Sequence, residues 1–216
     1  MSAQRIKDSL RHIENYIPSR LPAMSWRFAS VPPGNAVMPE AGAWTCMFTF
    51  VDEVARGKQL CLSVEQPGCS GAACYLGFKK PAPDAGAFLA EKERFKKTVE
   101  LGKAFYKEIM PLPAPDKYAV LERLEDSKEG DRPEVVVLWI DAVSLAGLVT
   151  LANYDRPTND NVIIPFASGC QSIWTLPFKE KYEKFSRCVV GTMDPAVRAH
   201  LPKDVMTVSM PTGRFL

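Results

Sequence analysis

Residues 135–140 read Val-Val-Val-Leu-Trp-Ile, an unbroken apolar run rich in β-branched side chains. A strand alternates its side chains between two faces, so this one offers no polar face to water. It must be covered on both sides. That demand excludes an open sheet edge for the segment and implies layers on both faces of a sheet. It is also the longest uninterrupted apolar run, far too short to span a bilayer. With 216 residues, 46% apolar and 24% charged, the chain has ample material for a core. Residues 1–216 are read as one α/β domain with a mixed sheet.

The other elements follow from periodicity and punctuation. Ile6, Leu10, Ile13 and Ile17 recur at helical spacing, which predicts an amphipathic helix over 4–17 that Pro18 ends. Strands are expected at 26–31, 60–64, 118–124, 162–166, 187–190 and 205–210. Residues 44–55 are read as a helix, because Met47, Val51 and Val54 share a face and Gly57 supplies a stop. A charged helix is expected over 87–108, and another runs from Asp141, its N-cap, to about Asn153. Asp194 and Pro195 open a short helix by the same logic.

Two short stretches stand between strands and helices: Gly68-Cys69-Ser70-Gly71 and Gly169-Cys170-Gln171-Ser172. Shifting the chain by 101 residues lays Cys69 on Cys170, the strand 61–64 on 162–165, and Glu40 on Asp141. Half-repeats over 36–78 and 137–178 would explain this order, and so would coincidence among common α/β elements. If the halves are related, Cys69 and Cys170 should lie near each other at the mouths of their strands, where α/β proteins collect ligands.

A thiol at a helix N-terminus is expected to have a lowered pKa, because dipole and free N–H groups favour the thiolate. A thiolate is a nucleophile and a soft metal ligand, and flanking glycines let backbone amides approach a ligand. Gly68, Cys69, Ser70, Gly71, Gly169 and Cys170 are therefore the candidate ligand-binding residues. The competing reading is that cysteines simply pack, which is the reading given to Cys61, with Cys74 as core or as support to the site. Only His12 and His200 could serve as imidazole bases, and neither lies near a cysteine in sequence, so no catalytic residue is assigned. His200 is expected at the surface.

Charge bounds the partners. With 27 basic and 25 acidic residues interleaved along the chain, no field for nucleic acid or an anionic membrane arises. A small molecule or a metal is the expected partner. The N-terminus is polar, without a signal-peptide core, so a cytoplasmic location is expected, with the six cysteines as thiols or ligands rather than disulfides. No C-x-x-C pair is present.

Taken in order, several short motifs resemble one family. Cys46 opens a helix that ends in Ala55-Arg56-Gly57-Lys58; Cys69-Ser70-Gly71 leads into Leu76-Gly77-Phe78; Pro133-Glu134 precedes the apolar strand. Gly169-Cys170, Cys188 with Gly191, and Val208-Ser209-Met210-Pro211 follow. In this order the motifs resemble the uncharacterised ArCR family, a domain of unknown function, over roughly Cys46 to Pro211. The resemblance puts Cys46, Cys69, Cys170 and Cys188 at family cysteine positions, which implies a soft-metal or iron–sulfur site built by these thiols. It carries no established activity. The chain departs from the pattern at Gly191-Thr192-Met193-Asp194, where many members have Gly-Asp-Arg, and at Lys203-Asp204, where an acidic pair is expected. The expected function is thus a protein binding an iron–sulfur cluster or other thiophilic cofactor. The alternatives are a thiol-dependent enzyme acting on a small acidic molecule, or a small-molecule binder whose cysteines are structural.

Overall fold

The computed structural model describes residues 2–215. The strands are β1 (Leu21–Ala29), β2 (Leu60–Ser63), β3 (Tyr118–Arg123), β4 (Val135–Ile140), β5 (Val162–Ile163), β6 (Cys188–Gly191) and β7 (Met206–Pro211). They form one seven-stranded sheet in the order β2-β3-β1-β4-β7-β6-β5. All pairings are antiparallel except that of β5 with β6. The chain is a single mixed-sheet α/β domain, as its sequence predicts.

Strand β4 is the centre of this sheet, paired with β1 on one side and β7 on the other. All six of its residues are buried. Val135, Val137 and Trp139 point into one core, and Val136, Leu138 and Ile140 into the other. The first core is covered by a 3-10 turn (Met47–Phe50), α2 (Val51–Ala55), α3 (Ser70–Tyr75), the helical segment leading through Gln171–Thr175 into α7 (Leu176–Glu180), and α8 (Pro195–Arg198). The second is covered by α1 (Ala3–Glu14) and α6 (Ala142–Tyr154). Asp141 caps α6 by accepting a hydrogen bond from the Ser144 amide at 2.9 Å. Among the described residues no helix is long and apolar enough to cross a membrane.

Three expectations change. Strand β1 begins at Leu21, earlier than periodicity indicates, because a register shift between Leu21 and Met24 accommodates Pro22. Strand β5 stops after Ile163; Pro165 cannot donate to a ladder, and Ile164 and Phe166 are exposed. The helix expected over 87–108 is broken into α4 (Ala85–Ala87), a π-helical turn (Phe88–Lys92) and α5 (Val99–Glu108). Arg94 takes a left-handed conformation at φ 55°, and Thr98 recaps the chain by accepting from the Leu101 amide. The hairpin packs backbone against backbone: a Cβ on Gly102 would lie 2.3 Å from the Gly86 carbonyl oxygen.

The internal duplication is not confirmed. Strands β2 and β5, matched by the 101-residue shift, are the two edges of the sheet. One pairs antiparallel and the other parallel. The matched helices also lie on opposite faces, Met47 and Val51 in one core and Leu148 and Ala152 in the other.

The Gly86–Gly102 contact yields a sign test. At an ordinary mid-helix site, alanine in place of glycine stabilises by about 0.5–1 kcal/mol. In Gly102→Ala, displacement of the Gly86 backbone outweighs that gain, so a net loss of about 1–3 kcal/mol is expected in urea unfolding. An unchanged or raised midpoint would refute the close packing of this hairpin.

Candidate functional site

The first Gly-Cys turn is clamped to the segment before the Met47–Phe50 turn. Gly68 sits at φ +80°, and a Cβ there would lie 2.6 Å from the Thr45 carbonyl oxygen. The Thr45 amide donates to the Gly68 carbonyl at 2.8 Å. These contacts set Cys46 beside Cys69. Cys69 then caps α3 with its sulfur, which accepts from the Ala72 amide at 3.3 Å.

The second Gly-Cys stretch differs. Cys170 lies inside a helical turn, at φ −60° and ψ −37°, rather than at an extended cap. Gly169 is required for close approach: a Cβ there would meet Val197 Cγ2 at 2.3 Å and the Phe48 ring at 2.7 Å. The Thr175 hydroxyl, one turn on, donates to the Tyr75 carbonyl at 2.7 Å and ties the two stretches together.

The same stretch aims a carboxylate. Ser172 Oγ donates to the Gly169 carbonyl at 2.9 Å and accepts from the Thr192 amide at 3.0 Å. Thr192 is fully buried and left-handed at φ 64°, a conformation rare for a β-branched residue. This turn carries the chain from β6 to Asp194, which caps α8 through Oδ1 and the Val197 amide at 3.0 Å. Asp194 Oδ2 is buried and has no hydrogen-bond partner among the described residues.

Between these elements lies a pocket of about 260 Å³. It brings together Cys46, Cys69 and Cys170, with Ser70, Gly71 and Gly169 on its walls. Gly68 stands behind Cys69 in the clamp. Cys188 is elsewhere: it lies on β6 in the core of the opposite face, with Val190 and Met210. The four thiols therefore do not surround one point, and among the described residues no group of three or more His, Cys, Asp or Glu side chains is placed to hold a metal ion. The residues present do not fit the four-thiol iron–sulfur site that the family resemblance implies.

The thiols are not activated either. Burial pushes Cys69 up, against the lowering effect of the Ala72 and Gly71 amides. The helix terminus works in the expected direction but loses to desolvation. Burial likewise raises Cys46, and the Cys69 thiolate, Asp194 and Glu93 raise it further. Cys170, enclosed between them, is raised well above the ordinary thiol value by burial first and then by Cys69 and Cys46.

The pocket also holds groups that the sequence pattern did not assign to a site. Asp194 is raised by burial, although the Val197, Gly169 and Ala196 amides favour its charged form. The last two lower its pKa without giving Oδ2 a hydrogen bond. Glu93, delivered by the broken helix, is raised by burial and by Asp194. Tyr75 and Tyr106 stack at 5.9 Å and share a hydrogen bond of 3.1 Å between their hydroxyls. His200 is exposed, as expected, but stands on the pocket's lining. Trp44 and Phe88, both exposed, also line it. No lysine or arginine does.

This chain belongs to a family of proteins described as uncharacterised ArCR, which it matches over residues 23–216. No curated protein and no solved structure matches it.

Raised thiols imply slow alkylation. At pH 7 iodoacetamide should modify Cys46 and Cys69 in the native protein more slowly than free cysteine, with a pH–rate midpoint above the ordinary thiol value of about 8.5. A native thiol that outpaces free cysteine at neutral pH would contradict these environments.

Proposed function

We propose that the chain is a binding protein for a small molecule with an apolar, flat body and a positively charged or N–H-donating end. The observation that carries this reading is Asp194 Oδ2, a buried carboxylate oxygen without a partner at a pocket wall. Leaving such an atom unpaired costs about 1–3 kcal/mol, and a donor on a ligand would remove that cost. Glu93 adds a second acidic group, and Trp44, Phe88, Tyr75 and Tyr106 supply aromatic surface for an apolar body or a cation. An acidic substrate is disfavoured, because it would face three carboxyl groups, Asp84, Glu93 and Asp194, and no lysine or arginine. The cysteines act as soft, largely apolar walls, the role that raised pKa values support. All six are unpaired thiols, which suits a reducing compartment such as the cytoplasm.

A matched pair of fragments tests this: tryptamine and indole acetate, titrated by ligand-observed NMR. Tryptamine should bind and indole acetate should not. Asp194→Asn keeps a competent helix cap but removes the charge, so tryptamine affinity should fall about tenfold or more, the equivalent of roughly 1.4 kcal/mol. The sign of the pH dependence follows from the raised carboxyl groups. Their charged forms hold the cation, so affinity should rise with pH, through a range above that of ordinary carboxylates. Equal binding of both fragments, or affinity falling as pH rises, would sink the proposal.

A further inference from the structure

The opposite face of the sheet holds a second, larger cavity whose polar end is basic. It has a volume of about 480 Å³ and opens between α1, α6 and the strands β6 and β7. Its walls are apolar: Leu145, Leu148 and Val149 of α6 stand with Val208 and Met210 of β7. Arg5 of α1 and Arg214 of the closing 3-10 turn (Thr212–Phe215) line it as well.

Arg214 is held in place. Its Nη2 donates to the Ala152 carbonyl near the end of α6 at 2.7 Å. Its Nη1 is buried and has no hydrogen-bond partner among the described residues. A guanidinium N–H withdrawn from water, with no oxygen or nitrogen acceptor and only the weak Cys188 sulfur nearby, is an unmet demand for a better acceptor. Arg5 is exposed on α1. Asp155, the one carboxylate on the lining among the described residues, is an exposed side chain 3.7 Å from Arg156 and thus partly neutralised. The buried Cys188 thiol marks the positive field: Arg214 lowers it by its charge and by a side-chain hydrogen bond to the sulfur, and Arg156 by its charge, against the larger effect of burial.

The apolar walls do not end at the cavity. Helix α6 carries apolar residues nearly all round, and Val143, Leu151 and Tyr154 remain exposed. A groove between α1 and α6 shares Ile13, Leu151 and Tyr154 with the cavity and continues past Tyr16 and Ile17. A chain too long for the cavity has an apolar path out of it.

We propose that this cavity is a second binding site, taking a monocarboxylate with an apolar tail: the head accepts from Arg214 Nη1 under Arg5, and the tail lies along α6 toward the α1–α6 groove. A planar carboxylate matches a guanidinium fork, and the walls match a hydrocarbon. The site is separate from the thiol pocket, which lies across the sheet, and does not depend on the reading given to that pocket.

Dodecanoate, kept below its micelle concentration and titrated by calorimetry, is the probe. One equivalent should bind, and methyl NMR should show Met210 shifting while Met47, in the opposite core, does not. Dodecanol, with the same tail and no charge, should bind at least tenfold more weakly. Arg214→Met should weaken dodecanoate at least tenfold and bring it to the level of dodecanol. Because Arg214 also holds the Ala152 carbonyl, a second variant guards against misfolding: Val149→Trp fills the cavity from its wall with Arg214 untouched, and should abolish binding. No saturable binding, equal affinity for dodecanol and dodecanoate, or Met47 shifting with Met210 would each overturn the proposal.

Discussion

The structure depends on the double burial of β4. Six consecutive apolar side chains cannot be satisfied by one layer, so the fold must supply a core to each face. Placing β4 at the centre of the sheet follows, because an edge position would leave a ladder of backbone groups unpaired beside an apolar surface. The two coverings are unlike. One face receives short turns and broken helices; the other receives two longer helices. Pockets form on both faces, where these coverings fail to close over the sheet.

On the first face, the thiol pocket is made by glycines as much as by cysteines. Gly68 permits a left-handed turn against Thr45, and Gly169 lets Phe48 and Val197 approach a helix to within what any side chain would forbid. Gly191 plays the same part for Ser172, whose side chain would be 2.2 Å from a Cβ there. Together these contacts bring the loop before α2, the cap of α3 and the turn before α8 to one place. The chemistry gathered there is acidic and poorly solvated. Burial is the largest effect on Cys46, Cys69, Cys170, Glu93 and Asp194, and the helix-end effects that would lower a thiol are real but smaller.

Much of this architecture was legible in sequence. The apolar run 135–140, the caps Asp141 and Asp194, and the apolar spacing of the first helix each state a local physical rule that the fold obeys. The legible part of the site was a grouping: Cys46, Cys69 and Cys170 line one pocket. What could not be read was the face on which each thiol falls. A strand cysteine such as Cys188 changes face with a one-residue shift of register, and register is set by pairing with β5 and β7 rather than by its own neighbours. Glu93 was hidden for a related reason. Local periodicity continues helically through it, and only the long-range Gly86–Gly102 contact requires the break that turns it toward the pocket. The Gly-Cys echo was misleading as ancestry: strands that match in sequence occupy opposite edges with opposite pairing sense.

Asp194 shows most clearly why fold and function must be argued apart. As a helix cap it needs one oxygen, and serine, threonine or asparagine would serve that end about as well. A carboxylate brings a second oxygen and a charge into a buried setting, where desolvation raises its pKa against the opposing effect of nearby amides, and Oδ2 has no hydrogen-bond partner among the described residues. The cost is compounded by the strained turn that delivers it, with a buried β-branched residue, Thr192, held at positive φ. Neither feature strengthens the core, and the α8 cap does not require them. A buried acceptor on a residue that lines a cavity, delivered by a strained turn, invites one physical explanation. On the binding role proposed for this pocket, the unmet hydrogen bond is the one that a donor on the ligand completes.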